Sequence, residues 1–250
     1  MTVICLTAMR MGSERLPGKS LIEIAGQPLI GQLLNRLQAC HFLDGIVVAT
    51  TNLEEDHQIE DYTEDRGIPC FRGSSDDVLN RITQAGRQFG ADVCVVVYGD
   101  GPLIDPEIID NAVECFLARP ELDFLGNDLK STFPSGMEAE VMTFEALSRS
   151  NSLCLDPTLR EHGTLFLRQH SDLFRVENFE AKGAQLRPEL YLEVDEPQDL
   201  TVVESIATHL QTINSYSLDE IISFVDEKRL SRLNSDVPRR WQKFRQLGTN

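Results

Sequence analysis

The chain has 250 residues, of which 41% are hydrophobic and 25% charged, with a formal net charge of -17. That length can bury a full core and suits one large α/β domain, or one domain with an appendage. The acidic balance argues against broad binding to nucleic acid or anionic membranes, which need basic protein surfaces, and no apolar run approaches the roughly 20 residues of a membrane span.

Residues 3–8 read as a buried strand. No cationic segment precedes that apolar run, so no secretory signal is expected. A basic loop follows, Ala8-Met9-Arg10-Met11-Gly12-Ser13-Glu14-Arg15-Leu16-Pro17-Gly18-Lys19, in which Glu14 is the only acid of the first twenty residues. Cations and glycines after a strand suit a polyphosphate cradle. A solvated basic turn is the other reading. Gly12 to Ser20 also approaches a Walker A loop, but five residues separate Gly12 from Gly18-Lys19-Ser20 where that loop has four.

Residues 22–26 give a short extended piece and a turn. Pro28 opens a helix with apolar residues at Leu29, Ile30, Leu33, Leu34 and Leu37. Gly45 to Thr50 reads as a second strand, acid-rich 54–66 as an exposed helix ending at Gly67, and Ile68 to Phe71 as a third strand. A helix over 76–90 is expected to cap at Ser75 or Asp76. Asp92 to Tyr98 is the clearest strand, ahead of Gly99-Asp100-Gly101-Pro102 and a helix over Pro106 to Leu117. This alternation predicts a parallel sheet covered by helices, with the loops at 9–19, 71–77 and 99–105 converging on one edge. Beyond Leu129 the pattern weakens. Glu138 to Thr143 suits a strand, Phe144 onward a short helix, 164–170 another, Tyr191 to Asp195 a returning strand, and 197–211 and 217–229 two helices, the latter capped by Ser217. The tail beyond Ser235 is basic and polar and holds the only tryptophan, Trp241. The six cysteines are scattered, with no CxxC pair, as expected of free thiols in a reducing cytoplasm.

Asp100 and Asp195 both end predicted strands, and two such carboxylates suit one Mg²⁺, an oxygen-seeking ion. Taken singly, Asp100 also reads as a turn aspartate and Asp195 as a helix N-cap. With the basic loop they form a metal–polyphosphate site. Arg15 and Lys19 can hold the β- and γ-phosphates of a nucleoside triphosphate while an oxygen nucleophile attacks its α-phosphate. No protein nucleophile is needed, and no Ser-His-Asp or Cys-His constellation is evident.

The loop from Ala8 to Lys19 resembles the signature of the sugar cytidylyltransferases, which include the CMP-Kdo and CMP-sialate synthetases, and especially the branch described as spore-coat polysaccharide biosynthesis cytidylyltransferases. Further similar segments are Phe71-Arg72-Gly73-Ser74 with Asp76-Asp77-Val78-Leu79, Gly99-Asp100 with Pro102 to Pro106, Arg160-Glu161-His162, Val194-Asp195-Glu196-Pro197 with Asp199-Leu200, and Ser217 to Ile221. They span most of residues 3–205 in order. The resemblance implies an α/β, three-layer nucleotide-diphospho-sugar transferase fold with a mostly parallel sheet, CTP as donor, and a sugar or sugar acid as acceptor. It implies Arg10, Gly12, Ser13, Arg15 and Lys19 at the triphosphate. Arg72, Ser74 and Asp77 would read base and ribose, Asp100 and Asp195 would hold Mg²⁺, and Glu140, Arg160, Glu161 and His162 would face the acceptor. Residues 129–180 would wall the acceptor site and form a homodimer contact. The transferase domain would cover 1–211, with a helical tail over 212–250.

Two positions depart from the pattern. Met9 stands where alanine is expected, and Gly101 stands where the branch carries cysteine, which reads as widening the site near Asp100. Guanylyl or uridylyl transfer to a sugar 1-phosphate, a non-catalytic nucleotide-binding regulator and a P-loop kinase remain alternative readings of the same residues.

Overall fold

Val3–Ala8 is apolar or β-branched at every position and buried throughout, and it forms the inner strand β1. The structure is a computed structural model and describes residues 1–239. After β1 come the hairpin β2 (Glu23–Ile24) and β3 (Gln27–Pro28), then α1 (Leu29–Gln38), β4 (Gly45–Thr51), α2 (His57–Glu64), β5 (Cys70–Gly73), α3 (Val78–Gln88), β6 (Val93–Tyr98) and α4 (Pro106–Leu117). The second half holds β7 (Phe124–Gly126), β8 (Glu140–Thr143), α5 (Phe144–Leu153), α6 (Pro157–Glu161), α7 (Leu165–Gln169), β9 (Val176–Asn178), α8 (Pro197–Ile213) and α9 (Leu218–Lys228).

Seven strands form one sheet in the order β5-β4-β1-β6-β8-β7-β9. The first four run parallel, β8 runs antiparallel to β6 and β7, and β9 lies parallel to β7. Successive strand residues face opposite sides. Val3, Cys5, Val95 and Val97 pack with α1, α4, α8 and α9, while Ile4, Leu6, Val96 and Met142 pack with α3, α5 and α7. The result is three layers. Leu29, Ile30, Leu33, Leu34 and Leu37 of α1 are fully buried, each contributing about 1.5–3 kcal/mol.

Three local expectations are corrected. Helix α3 is capped by Asp77, whose carboxylate accepts from Asn80 N at 2.9 Å, rather than by Ser75 or Asp76. Strands β7 and β9 were not anticipated; each has only three residues, too few for a period to show. Tyr191 to Asp195 does not become a sheet strand. Tyr191 makes a single parallel bridge with Ser135, and the segment gives its other bonds to loops, Leu192 N to Ser135 O and Val194 N to Asp100 O, both at 2.8 Å.

Helix α9 belongs to the main core. Leu218, Ile221, Ile222 and Val225 share the cluster that holds α1 and α4. Asp105 caps α4 through Glu107 N and also accepts from Leu218 N at 2.6 Å. Buried Arg36 donates to the carbonyls of Leu103, Ile104 and Tyr216. The loop after β6 is thus tied to the start of α9. All six cysteines are free thiols, and among the described residues no helix is long and apolar enough to cross a membrane. Trp241 lies outside the described residues.

Candidate active site

Because β1, β4, β5 and β6 are parallel, the loops that leave them emerge on one edge of the sheet. The loop after β1 is short of regular structure, and its backbone is fixed by other means. Met11 N donates to buried Asp56 Oδ1 at 2.6 Å, Gly18 N to Met11 O at 2.9 Å, and Ser20 Oγ to Arg10 O at 3.2 Å. Thr51 Oγ1 donates to the second oxygen of Asp56. Lys19 opens a single 3₁₀ turn, and a hairpin intervenes before α1. In a Walker loop the Gly-Lys-Ser run opens the helix itself, so this loop has a different construction.

Lys19 is where the predicted residues meet. Its Nζ donates to Val194 O at 2.8 Å and to Asp195 Oδ1 at 3.1 Å, and lies 3.8 Å from Asp100 Oδ2. Arg15 Nη2 reaches Asp195 Oδ2 at 2.5 Å, and Nη1 lies 3.7 Å from Glu196. The two carboxylates, 95 positions apart in the sequence, therefore flank one ammonium. Asp195 is not the helix N-cap. Glu196 is, in a capping box with Asp199.

Carboxylates crowd this edge. Loss of hydration first, and then Asp195, raise the Asp100 carboxyl above its ordinary range, against the pull of Lys19. Glu193 is pushed up to about 8 by burial, then by Glu138, Asp100 and Asp195. Such crowding leaves room for a bound cation. Among the described residues no group of three or more His, Cys, Asp or Glu side chains could hold a metal alone. Two carboxylates do suit Mg²⁺, which takes one or two from the protein and completes its shell with phosphates and water.

Gly101 does not widen the site. A Cβ there would sit 2.7 Å from Gly136 O, and one on Gly136, at φ +94°, would sit 2.7 Å from Glu193 N. The loops bearing Asp100, Gly136 and Asp195 are stacked backbone against backbone. Met9 is buried in the core beneath the loop.

The remaining predicted residues are placed as follows. Arg10 Nη1 reaches Ser75 O at 3.5 Å, joining the first loop to the one after β5. Ser13 Oγ accepts from Leu16 N, and Ser74 O accepts from Arg81 at 2.6 Å. Gly12 lies against Glu55. Every guanidinium nitrogen of Arg72 is engaged, with Thr51 O, Leu53 O, Glu60 and the His57 ring. Arg160 is equally committed. Its Nε and Nη2 bind Asp77, Nη1 binds the carbonyls of Asn151 and Cys154, and Nη2 also meets Asn151 Oδ1. Glu161 is exposed. His162 ends α6, and burial lowers its proton affinity.

A family model described as cytidylyltransferase matches residues 4–234. The chain belongs to the cytidylyltransferase family. An uncharacterized protein of Methanocaldococcus jannaschii, MJ1063, is 32% identical over 238 residues, 95% of this chain and 96% of its own. The spore coat polysaccharide biosynthesis protein SpsF of Bacillus subtilis is 28% identical over 231 residues, 90% of this chain and 94% of its own. The solved structure of a cytidylyltransferase from Leptospira borgpetersenii superposes with a TM-score of 0.86 at 28% identity, covering 96% of this chain and all of that one.

Glu140, expected to face the acceptor, has surroundings that the sequence did not mark. In this cytidylyltransferase Glu140 is buried, accepting from Thr164 Oγ1 at 2.7 Å and from Arg168 at 3.1 Å. Arg168 also pairs with Asp128 at 2.7 Å. Burial, then Asp128, push the Glu140 carboxyl up to about 7, although Arg168 pulls it down. Tyr98 O–H reaches His162 O at 3.5 Å, so the network touches the end of α6. No motif marked Asp128, Thr164 or Arg168, although the last two fall in the helix expected over 164–170. Asp56 was hidden within a run of exposed acids. A cavity of about 430 Å³, bordered by Asp123, Arg149 and Arg175, opens at the amino ends of β7 and β9, on the opposite edge of the sheet.

Proposed function

We propose that this chain transfers CMP from CTP to a sugar or sugar acid and releases pyrophosphate, with Mg²⁺ as its cofactor. The observation that carries the reading is the convergence of Lys19 and Arg15 on Asp100 and Asp195 at the carboxyl edge of the sheet. Asp100, Asp195 and Glu196 at least offset the two cations. A bare triphosphate would meet as much repulsion as attraction, whereas a triphosphate carrying a divalent cation can exchange partners with both pairs. Arg15 and Lys19 then hold phosphate oxygens, and Asp100 and Asp195 hold the cation. When bound there, Mg²⁺ neutralises phosphate charge and adds Lewis acidity at the phosphoryl oxygens.

An acceptor oxygen attacks the α-phosphorus and gives any proton it carries to water, the bond to the bridging oxygen of the β-phosphate breaks, and pyrophosphate leaves with that electron pair. The chain's own residues position the reactants and hold the charge that develops on the leaving group. Arg10, Gly12, Ser13 and Ser74 line the nucleotide side in this reading. Arg72, Asp77 and Arg160 brace the loops behind it, because their polar groups already have protein partners. Glu140, Glu161 and His162 lie toward the acceptor. The name of SpsF supports surface polysaccharide synthesis as the setting. A cytoplasmic homodimer completes the reading, and light scattering tests the assembly.

The nucleotide is tested by thermal shift with CTP, GTP, UTP and ATP, each with Mg²⁺. A ligand at 100 times its Kd stabilises by about 2.7 kcal/mol. CTP is expected to raise the midpoint most, and to do so less without Mg²⁺. A larger shift with GTP or UTP would reassign the base.

A further inference from the structure

Asp195 is held from behind by the end of the described chain. Its backbone N donates to Asp199 Oδ2 at 3.1 Å, and Glu196 N donates to the same oxygen at 2.9 Å. Asp199 is the third residue of α8 and its capping-box carboxylate, and aspartate is almost never fully buried unless paired. Here it is 0% exposed. Arg239 clamps it with both terminal nitrogens, Nη1 to Oδ2 at 3.0 Å and Nη2 to Oδ1 at 2.8 Å. Asn234 Nδ2 adds a bond to Oδ1 at 2.8 Å and another to Tyr191 O at 3.1 Å. The Arg239 guanidinium also covers the Tyr191 ring at 4.2 Å and donates to Asn234 O at 3.2 Å.

A helix cap does not need a buried bidentate ion pair. Desolvating two charges is costly, and well-packed apolar residues hold such a place at least as well. What the pair adds is direction. A carboxylate fixed in a planar fork has its oxygens pinned, and the oxygen facing away from Asn234 receives two consecutive amides. Those amides set the backbone of residues 195 and 196, whose side chains meet Arg15. The carbonyl just before them, of Val194, receives Lys19.

We infer that Arg239, assisted by Asn234, is a positioning residue that aims the Asp195 carboxylate through Asp199. The C-terminal segment thereby completes the phosphate and cation site at the opposite end of the sequence. This rests on the reading of Asp195 given above. It concerns support behind a ligand, of the kind whose loss typically weakens metal affinity or activity about 10- to 100-fold.

The test uses the full chain with Arg239→Met, Arg239→Lys, Asn234→Ala and Asp195→Ala. The direct readout is hydrogen exchange at the amides of Asp195 and Glu196. Arg239→Met is expected to speed their exchange by about tenfold or more while amides in β1 and β6 keep wild-type rates, with Arg239→Lys in between. The Mg²⁺ concentration that half-saturates pyrophosphate release should rise about tenfold, with the KM for CTP at saturating Mg²⁺ changed less than twofold. Unchanged exchange at those two amides, or acceleration shared equally by β1 and β6, overturns the inference. If Arg239→Met does not fold, Asn234→Ala carries the same exchange measurement, with a smaller effect of the same pattern expected. If Asp195→Ala leaves the Mg²⁺ dependence at the wild-type value, the cation-site reading has failed, and the amide exchange still decides whether Arg239 aims residue 195.

Discussion

Charged side chains near the site divide by what they have left to give. Lys19 and Arg15 are held by carboxylates and one carbonyl, partners that a nucleotide–cation complex can replace. Arg160, in α6, is held by the carboxylate that caps α3 and by two carbonyls and an amide oxygen at the end of α5. A guanidinium has five N–H donors, and Arg160 spends them within the protein. Arg160→Ala is therefore expected to act on stability rather than on nucleotide binding. It leaves Asp77 without its cationic partner, though still bonded to Asn80 N, and takes a donor from two carbonyls, a loss of about 2–3 kcal/mol. Chemical denaturation should show this as a lower midpoint, with the affinity for CTP and Mg²⁺ close to wild type. An unchanged midpoint with weakened binding would return Arg160 to the list of ligand contacts. The sequence placed both kinds of arginine in one motif set, because residue type and order cannot show which hydrogens are already taken.

At the level of elements, the chain was legible as far as α4 and again over β8, α5, α7, α8 and α9, whereas β7, α6, β9 and the segment before α8 were not. Helix α4 begins with Pro106 and ends at Leu117 as its pattern predicts, and Ser217 caps α9 through Asp219 N. Strands β1, β4 and β6 stand out because both faces are buried and nearly every residue is apolar. The convergence of their loops followed from parallel order alone. Between Leu129 and Asp195 the chain folds by other rules. Helix α6 spans five residues, too few for a helical period to emerge, while the helix expected over 164–170 is found as α7. The segment before α8 reads as a strand because it is apolar, yet it lies between two loops that approach closely at Gly101 and Gly136. Those glycines look like ordinary turn residues until the loops are brought together. The departure at position 101 thus concerns the contact between two loops, not the width of the site.

The whole molecule carries its acidity unevenly, and part of it is buried where carboxyl groups hold protons. Glu140 is pushed up to about 7 and Glu193 to about 8, in each case mainly by burial. A carboxyl whose folded value exceeds its unfolded one takes up a proton on folding. Its contribution is complete below the unfolded value, about 4.3, and is lost as pH rises through the folded value. Stability from these two groups should therefore decline between about pH 5 and 8, and Glu140→Gln should flatten that decline in denaturation midpoints measured across the range. Identical slopes in the variant and the wild type would show that Glu140 is ionised throughout. A basic loop near the amino terminus, carboxylates at two later loops and a clamp from Arg239 meet at one edge of the sheet. We propose that Asp100, Lys19 and Arg15 there serve transfer at the α-phosphate of CTP. The most direct measurement is product analysis with CTP and Mg²⁺ over a panel of sugar acids, sugar phosphates and phosphonates, for the wild type and Asp100→Ala. The prediction is stoichiometric pyrophosphate and a CMP-linked sugar with one class of acceptor, falling by about 100-fold or more in Asp100→Ala. Release of inorganic phosphate in place of pyrophosphate, or an Asp100→Ala enzyme as active as the wild type, would contradict it.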